Sequence, residues 1–200
     1  MIDPYSSEVL KPLYVKDEAC RKVLLEEAEK IPSTVISSAA AANAVMLGGG
    51  YFNPLSGYMD LADVIGVAER MQMSSGLFWP TPVVNMLRGN SLCTEIKSAG
   101  KIALRDPNVE GNPVIAVQAV DKIEIVTEKQ IGEIVKHVYG TTDHEHPGVA
   151  AFTEAGDTLI SGPIEVLNFS YFSTEFPDTF RTAVEIRNEI KEREWETVIA

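Results

Sequence analysis

Two apolar runs close on one stretch of turn chemistry, and this constrains the fold more than any other feature. Lys101-Ile-Ala-Leu-Arg105 and Val114-Ile-Ala-Val-Gln-Ala-Val120 flank Asp106-Pro-Asn-Val-Glu-Gly-Asn-Pro113. Pro, Gly, Asn and Asp set turn geometry, so the spacing predicts a β-hairpin. A second hairpin is expected where Gly148–Thr153 can pair with Thr158–Leu167 around Glu154-Ala-Gly-Asp157. Helices fall between the strands. Lys16 to Lys30 places Cys20, Val23, Leu24, Ala28 and Ile31 at mostly helical intervals. Val35–Ser38 reads as a short strand, and Ala39–Leu47 as a helix stopped by Gly48-Gly-Gly50. Asp60 caps a helix whose Leu61, Val64, Ile65, Ala68 and Met71 form one stripe.

Leu77 to Leu87 reads as extended, with Pro80 and Pro82 confining its start to an edge or a bend. Thr127 and Gln130 make a capping box for a helix using Ile131, Ile134, Val135 and Val138, stopped by Gly140. Strands outnumber helices and are joined by hairpins, so residues 1 to about 168 predict an α+β domain with a partly closed antiparallel sheet. Phe169, Tyr171, Phe172 and Phe176 then make 169–178 an aromatic-rich connection, expected to pack along the domain as it leaves.

Charge excludes some partners. The 200 residues carry 29 acidic and 17 basic side chains, a formal charge of −12. Such a chain repels phosphate backbones and anionic lipid surfaces, so neither nucleic acid nor a membrane is expected as a partner. No segment approaches the roughly 20 apolar residues of a spanning helix. Cys20 and Cys93 stand alone, which points to neither a disulfide framework nor a CxxC site. The N-terminus has no basic and apolar signal pattern, and a cytoplasmic location is expected.

Four groupings could carry chemistry. Asp143-His144-Glu145-His146 offers metal-type ligands, but a closed zinc site takes four, and His137 lies at the far side of a helix end. A structural turn is the expected use, with Thr141 and Asp143 bonding local backbone and Pro147-Gly148 setting the bend. Gly48-Gly-Gly50 is followed by Tyr51-Phe52 where a phosphate loop needs Lys and Ser or Thr. Arg105-Asp106 is expected to pin its hairpin as an ion pair, and Met71-Gln-Met73 to belong to the core. No residue is assigned as catalytic, cofactor-binding or metal-binding.

Several blocks together resemble the amino-terminal half of the ATP sulfurylase (sulfate adenylyltransferase) family, in its homo-oligomeric form. They are Gly50-Tyr-Phe-Asn-Pro-Leu-Ser-Gly-Tyr-Met59, Leu77-Phe-Trp-Pro-Thr-Pro-Val83, Ile102-Ala-Leu-Arg-Asp-Pro107, Tyr139-Gly-Thr-Thr-Asp-His-Glu-His-Pro-Gly-Val149 and Ser161-Gly-Pro-Ile-Glu-Val166. Phe180-Arg-Thr-Ala-Val-Glu-Ile-Arg187, Trp195 and Val198-Ile-Ala200 complete the set. The resemblance implies a PUA-like domain over 1–168, followed by the first helix and strand of an α/β nucleotidyltransferase domain over 179–200. It also implies that the complete enzyme uses Mg-ATP and sulfate, giving adenylyl sulfate and pyrophosphate, as a homo-oligomer.

The last residues carry an expectation of their own. Thr182 and Glu185 begin a capped helix with an Ala183, Ile186 and Ile190 stripe and a Glu189–Arg193 pair, and Glu196-Thr-Val-Ile-Ala200 reads as a buried strand beginning. α/β sheets hold ligands at the carboxyl ends of such strands, which here would lie at or after residue 201. The family's Gln-Thr-Arg-Asn and His-x-x-His motifs follow that strand and have no counterpart in this sequence. Two classes therefore remain: the amino-terminal portion of a nucleotidyltransferase, or a freestanding PUA-like binding or interaction module.

Overall fold

The computed structural model describes residues 3–89 and 92–199. Its organising element is a nine-residue strand, β7 (Thr158–Val166), which is paired along its length. β3 (Met86–Leu87) and β6 (Lys122–Ile125) pair with its first half, and β2 (Gly57–Tyr58) and β5 (Val114–Ala119) with its second. The change of partners falls at Gly162, whose φ of 138° bends the strand. Beyond β5 the sheet continues through β4 (Lys101–Arg105) to β1 (Ser33–Val35). The β4–β5 hairpin forms as the sequence requires, with its turn at 106–113. β1 runs parallel to β4, so the curled sheet is mixed rather than antiparallel throughout.

Both faces of this sheet are covered, which is why β4 and β5 read as continuous apolar runs. Ile102 and Leu104 face the main core, while Ala103 faces a smaller cluster with Ala28, Val114, Val117 and Leu167. α1 (Glu18–Ala28) covers the smaller cluster with Leu24, and Asp17 caps it by accepting from the Cys20 amide at 2.7 Å. On the main face lie α2 (Ser38–Gly49), α3 (Leu61–Arg70), α4 (Cys93–Ala99), α5 (Glu128–Tyr139) and α6 (Pro147–Glu154). Beyond β7 follow α7 (Phe172–Glu175) and α8 (Ala183–Glu192).

α2 approaches the sheet closely because Ala40, Ala41, Ala44 and Gly48 line its inner face, and a Cβ on Gly48 would sit 2.7 Å from Val166 Cγ1. Gly50, at φ 82°, ends it by donating to the Leu47 carbonyl. The buried Tyr58 hydroxyl donates to the Ala40 carbonyl at 2.8 Å, and burial pushes that phenol far above its ordinary pKa. The caps expected at Asp60 and at Thr127 with Gln130 are both present.

Several expectations are corrected. Gly148–Thr153 does not pair with β7 but lies in α6. Pro147 presets the first helical φ, and His146 Nδ1 accepts from the Gly148 amide at 3.1 Å. The edge this segment would have filled belongs to β6, for which no strand is expected from sequence. β1 ends at Val35, and Ser37 caps α2, so the strand expected over 35–38 starts and stops earlier. Of 77–87 only Met86–Leu87 joins the sheet, since Pro80 and Pro82 cannot donate to a ladder. α4 goes unread because Leu92 supplies no side-chain cap. Met71, placed on the core stripe, instead ends α3 at φ 53° and is 52% exposed, while Met73 does reach the core.

Candidate functional site

The His-rich segment is consumed by local bonding. α5 stops where the Gly140 amide donates to Lys136 O. Thr141 Oγ1 then accepts from the Asp143 amide, Asp143 Oδ1 from the Glu145 amide, and Asp143 O from the His146 amide, at 2.9 to 3.1 Å. His146 Nδ1 is the cap of α6, and its ring lies 5.3 Å from that of Tyr139. Among the described residues no three His, Cys, Asp or Glu side chains gather as metal ligands. Replacing His146 with alanine should cost about 1 kcal/mol of stability, as other cap deletions do, while His146→Asp should retain most of it. Urea denaturation distinguishes these, and equal losses in both variants would refute the capping role.

Arg105 and Asp106 do not form the expected pair, because neighbouring strand residues point to opposite faces. Arg105 reaches across β1 to Glu29, with Nη2 at 3.1 and 3.2 Å from its two oxygens, and its Nε donates to Ser33 Oγ. Asp106 is fully buried and closes the hairpin itself, Oδ1 accepting from the Asn108 amide at 2.8 Å and its carbonyl from Asn112 Nδ2. The pair therefore ties three segments together instead of presenting an anion site.

A cleft of about 490 Å³ opens between the end of β1, the start of α2, β3, α4 and α6. Its floor is the buried Ile36, Met86 and Ile96. Arg88 and Glu154 stand at the rim, joined by Arg88 Nε donating to Glu154 O at 2.6 Å. This lining can hold an apolar body, and its charged side chains, Arg88 and Glu154, pair with each other at 3.9 Å at the exposed rim.

A second cleft of about 420 Å³ lies at the seam where the aromatic connection leaves the domain. The aromatics there are bound to the domain, as the sequence implies. Tyr14 stacks on Phe169 at 4.5 Å, and Phe169 meets Phe180 at 5.2 Å. Asn168 Nδ2 donates to Val114 O at 2.6 Å, and the Tyr51 hydroxyl to Arg181 O at 2.6 Å. Phe169, Phe172 and Phe180 all pack against the main core. α8 begins beyond this seam with its capping box formed, and Glu189 pairs with Arg193 at 2.6 Å.

Hydrogen bonds from Thr182, chiefly its amide, hold the Glu185 carboxyl below its ordinary value of 4.5. A depressed carboxylate contributes stability above its unfolded pKa and loses it as pH falls through the lower folded value. The start of α8 should therefore loosen in acid, below about pH 4.5, before the domain unfolds. None of its residues is fully buried. Residues 196–199 form no strand: Val198 is 55% and Ile199 98% exposed, with Ala200 outside the described residues.

These features define an α+β domain whose curled mixed sheet is covered on both faces and whose buried polar groups serve the fold. Residues 2–169 match the profile of the PUA-like domain family, and the chain belongs to that family. Among curated proteins it is 54% identical to a sulfate adenylyltransferase of Alcanivorax borkumensis over 200 residues, all of this chain and 49% of the relative. It is 52% identical to the sulfate adenylyltransferase of Allochromatium vinosum, covering 100% of this chain and 50% of that one. The chain thus spans about half the length of the curated relatives it matches. Among solved structures, the hexameric APS kinase from Thiobacillus denitrificans shares the fold at a TM-score of 0.68 and 22% identity. The overlap covers 98% of this chain and 32% of that one. No helix among the described residues is long and apolar enough to cross a membrane.

Proposed function

We propose that this chain is the amino-terminal portion of a sulfate adenylyltransferase, with a PUA-like domain over 1–168, a connection over 169–178 and the start of the catalytic domain over 179–200. The observation that carries this reading is the unbroken match of all 200 residues, at above 50% identity, to proteins of that name. In the complete enzyme Mg-ATP and sulfate would be substrates, in a cytoplasmic homo-oligomer. The part played by residues 1–200 is positional. The Tyr14–Phe169–Phe180 stack and the Tyr51–Arg181 bond fix the direction in which α8 leaves the domain. A catalytic unit built onto α8 inherits that orientation.

The transfer itself needs a clamp of positive charge and donors on the phosphoryl group. In the two clefts Arg88 is spent on Glu154 and Arg181 on the Pro177 and Phe180 carbonyls, so the isolated chain should make no adenylyl sulfate. Incubation with ATP, magnesium, sulfate and pyrophosphatase, read as phosphate release, tests this. Sulfate-dependent turnover by the 200 residues alone would overturn the division of labour.

A stability measurement tests the domain boundary. Deleting 183–199 should change the melting temperature by no more than about 2 °C, because α8 buries no side chain fully. Phe180→Ala should lower it by about 5 °C or more, since that ring packs on the core. The reverse ranking would place α8 inside the first domain.

A further inference from the structure

The turn that leads into α8 is tied to the domain by a long-range donor. Arg181 directly precedes Thr182, the cap of α8. The bonds on either side of it are local. Arg181 Nη1 donates to the Pro177 and Phe180 carbonyls, and the Thr182 amide and hydroxyl each donate to Glu185 Oε2 at 2.7 Å. Local bonds shape this turn but do not aim it. The Arg181 carbonyl, by contrast, accepts from the Tyr51 hydroxyl at 2.6 Å, across 130 positions of sequence.

Tyr51 is built as a rigid arm. It follows Gly50, the cap of α2, and its amide donates to Met46 O at 3.0 Å. Its ring lies over Gly49, where a Cβ would come within 3.1 Å of Tyr51 Cδ2. α2 in turn packs directly on β7 through Gly48. The core therefore sets where the hydroxyl stands. Burial, with the Glu185 charge beside it, holds the phenol above its ordinary value of 10, so it remains a donor at neutral pH. α8 has no such footing. None of its ten residues is fully buried, and a helix of that length is marginal in water without tertiary contacts.

We propose that the Tyr51 hydroxyl is a releasable latch that sets the orientation of α8 on the domain. Two anchors divide the work: Phe180 fixes a point by packing on the core, and Tyr51 fixes the rotation of the chain about that point. One neutral hydrogen bond shifts an equilibrium by about twofold to tenfold, so α8 is held in place yet can let go. What the latch orients in a complete protein rests on the function proposed above; the latch itself does not.

Hydrogen exchange on residues 1–200 at neutral pH, comparing the parent with Tyr51→Phe, tests the proposal. Phenylalanine keeps the ring over Gly49 and removes only the donor. Amides of 186–193 should exchange about twofold to tenfold faster in the variant, because their protection depends on docking. Amides of β5 and β7 should keep the parent rate, and the melting temperature should stay within about 1 °C. A variant whose α8 exchanges at the parent rate would overturn the latch. So would faster exchange throughout the domain or a lower melting temperature, since the hydroxyl would then be supporting the core. Each outcome is read on the 200 residues alone and stands whether or not the complete protein is a sulfate adenylyltransferase.

Discussion

Gly162→Ala should destabilise the domain by about 3 kcal/mol or more, enough to leave a marginally stable protein largely unfolded near physiological temperature. Two costs combine. The native φ of 138° is a conformation L side chains rarely adopt, and a Cβ there would sit 2.2 Å from the Ala119 carbonyl oxygen. The obstacle is backbone, so no rotamer change relieves it. Moving it would pull the β5–β6 connection away from β7, where the Asp121 amide bonds Ser161 O. Gly57 lies against the same point from β2, its missing Cβ 2.1 Å from Gly162 O. Gly132→Ala is the control: nothing lies within 4 Å of a Cβ there, inside α5, and the change should stabilise by about 0.5–1 kcal/mol. Urea midpoints read both effects, and a loss below about 1 kcal/mol at Gly162 would contradict the role of the bend.

Gln118→Leu should be the other severe substitution, costing about 2–4 kcal/mol. Gln118 and Asn85 are both fully buried. Gln118 Nε2 donates to Ile160 O at 3.0 Å, and its Oε1 accepts from Asn85 Nδ2 at 2.9 Å. Asn85 Oδ1 already lacks a partner among the described residues. Removing Gln118 alone strands the rest of the Asn85 amide in the core. Replacing both by leucine removes the stranded groups together, so the double variant should be clearly more stable than Gln118→Leu. A double variant whose loss equals the sum of the single losses would show that the two amides act independently.

Legibility in the sequence followed local chemistry. The β4–β5 hairpin and the caps at Asp60, Thr127 and Thr182 rest on residues within a few positions of one another, and all stand as read. Segments decided by distant partners were harder. Gly148–Thr153 has strand-like content, but Pro147 and the His146 cap make it a helix, and nothing local assigns β7's edge to Lys122–Ile125. Arg105 illustrates the same limit, since its partner Glu29 is 76 positions away. The family resemblance was legible because it rests on blocks spread over the whole chain.

If residues 1–200 are the amino-terminal portion of a sulfate adenylyltransferase, as proposed, they should be interchangeable with the matching portion of a relative. The direct measurement is a chimera in which this chain replaces the aligned 200 residues of the Alcanivorax borkumensis protein, assayed for sulfate-dependent pyrophosphate release from ATP. A single cooperative unfolding transition is expected, with activity within about tenfold of the parent, a change of about 1.4 kcal/mol or less in the barrier. A folded chimera without sulfate-dependent activity, or one whose two parts melt separately, would contradict it.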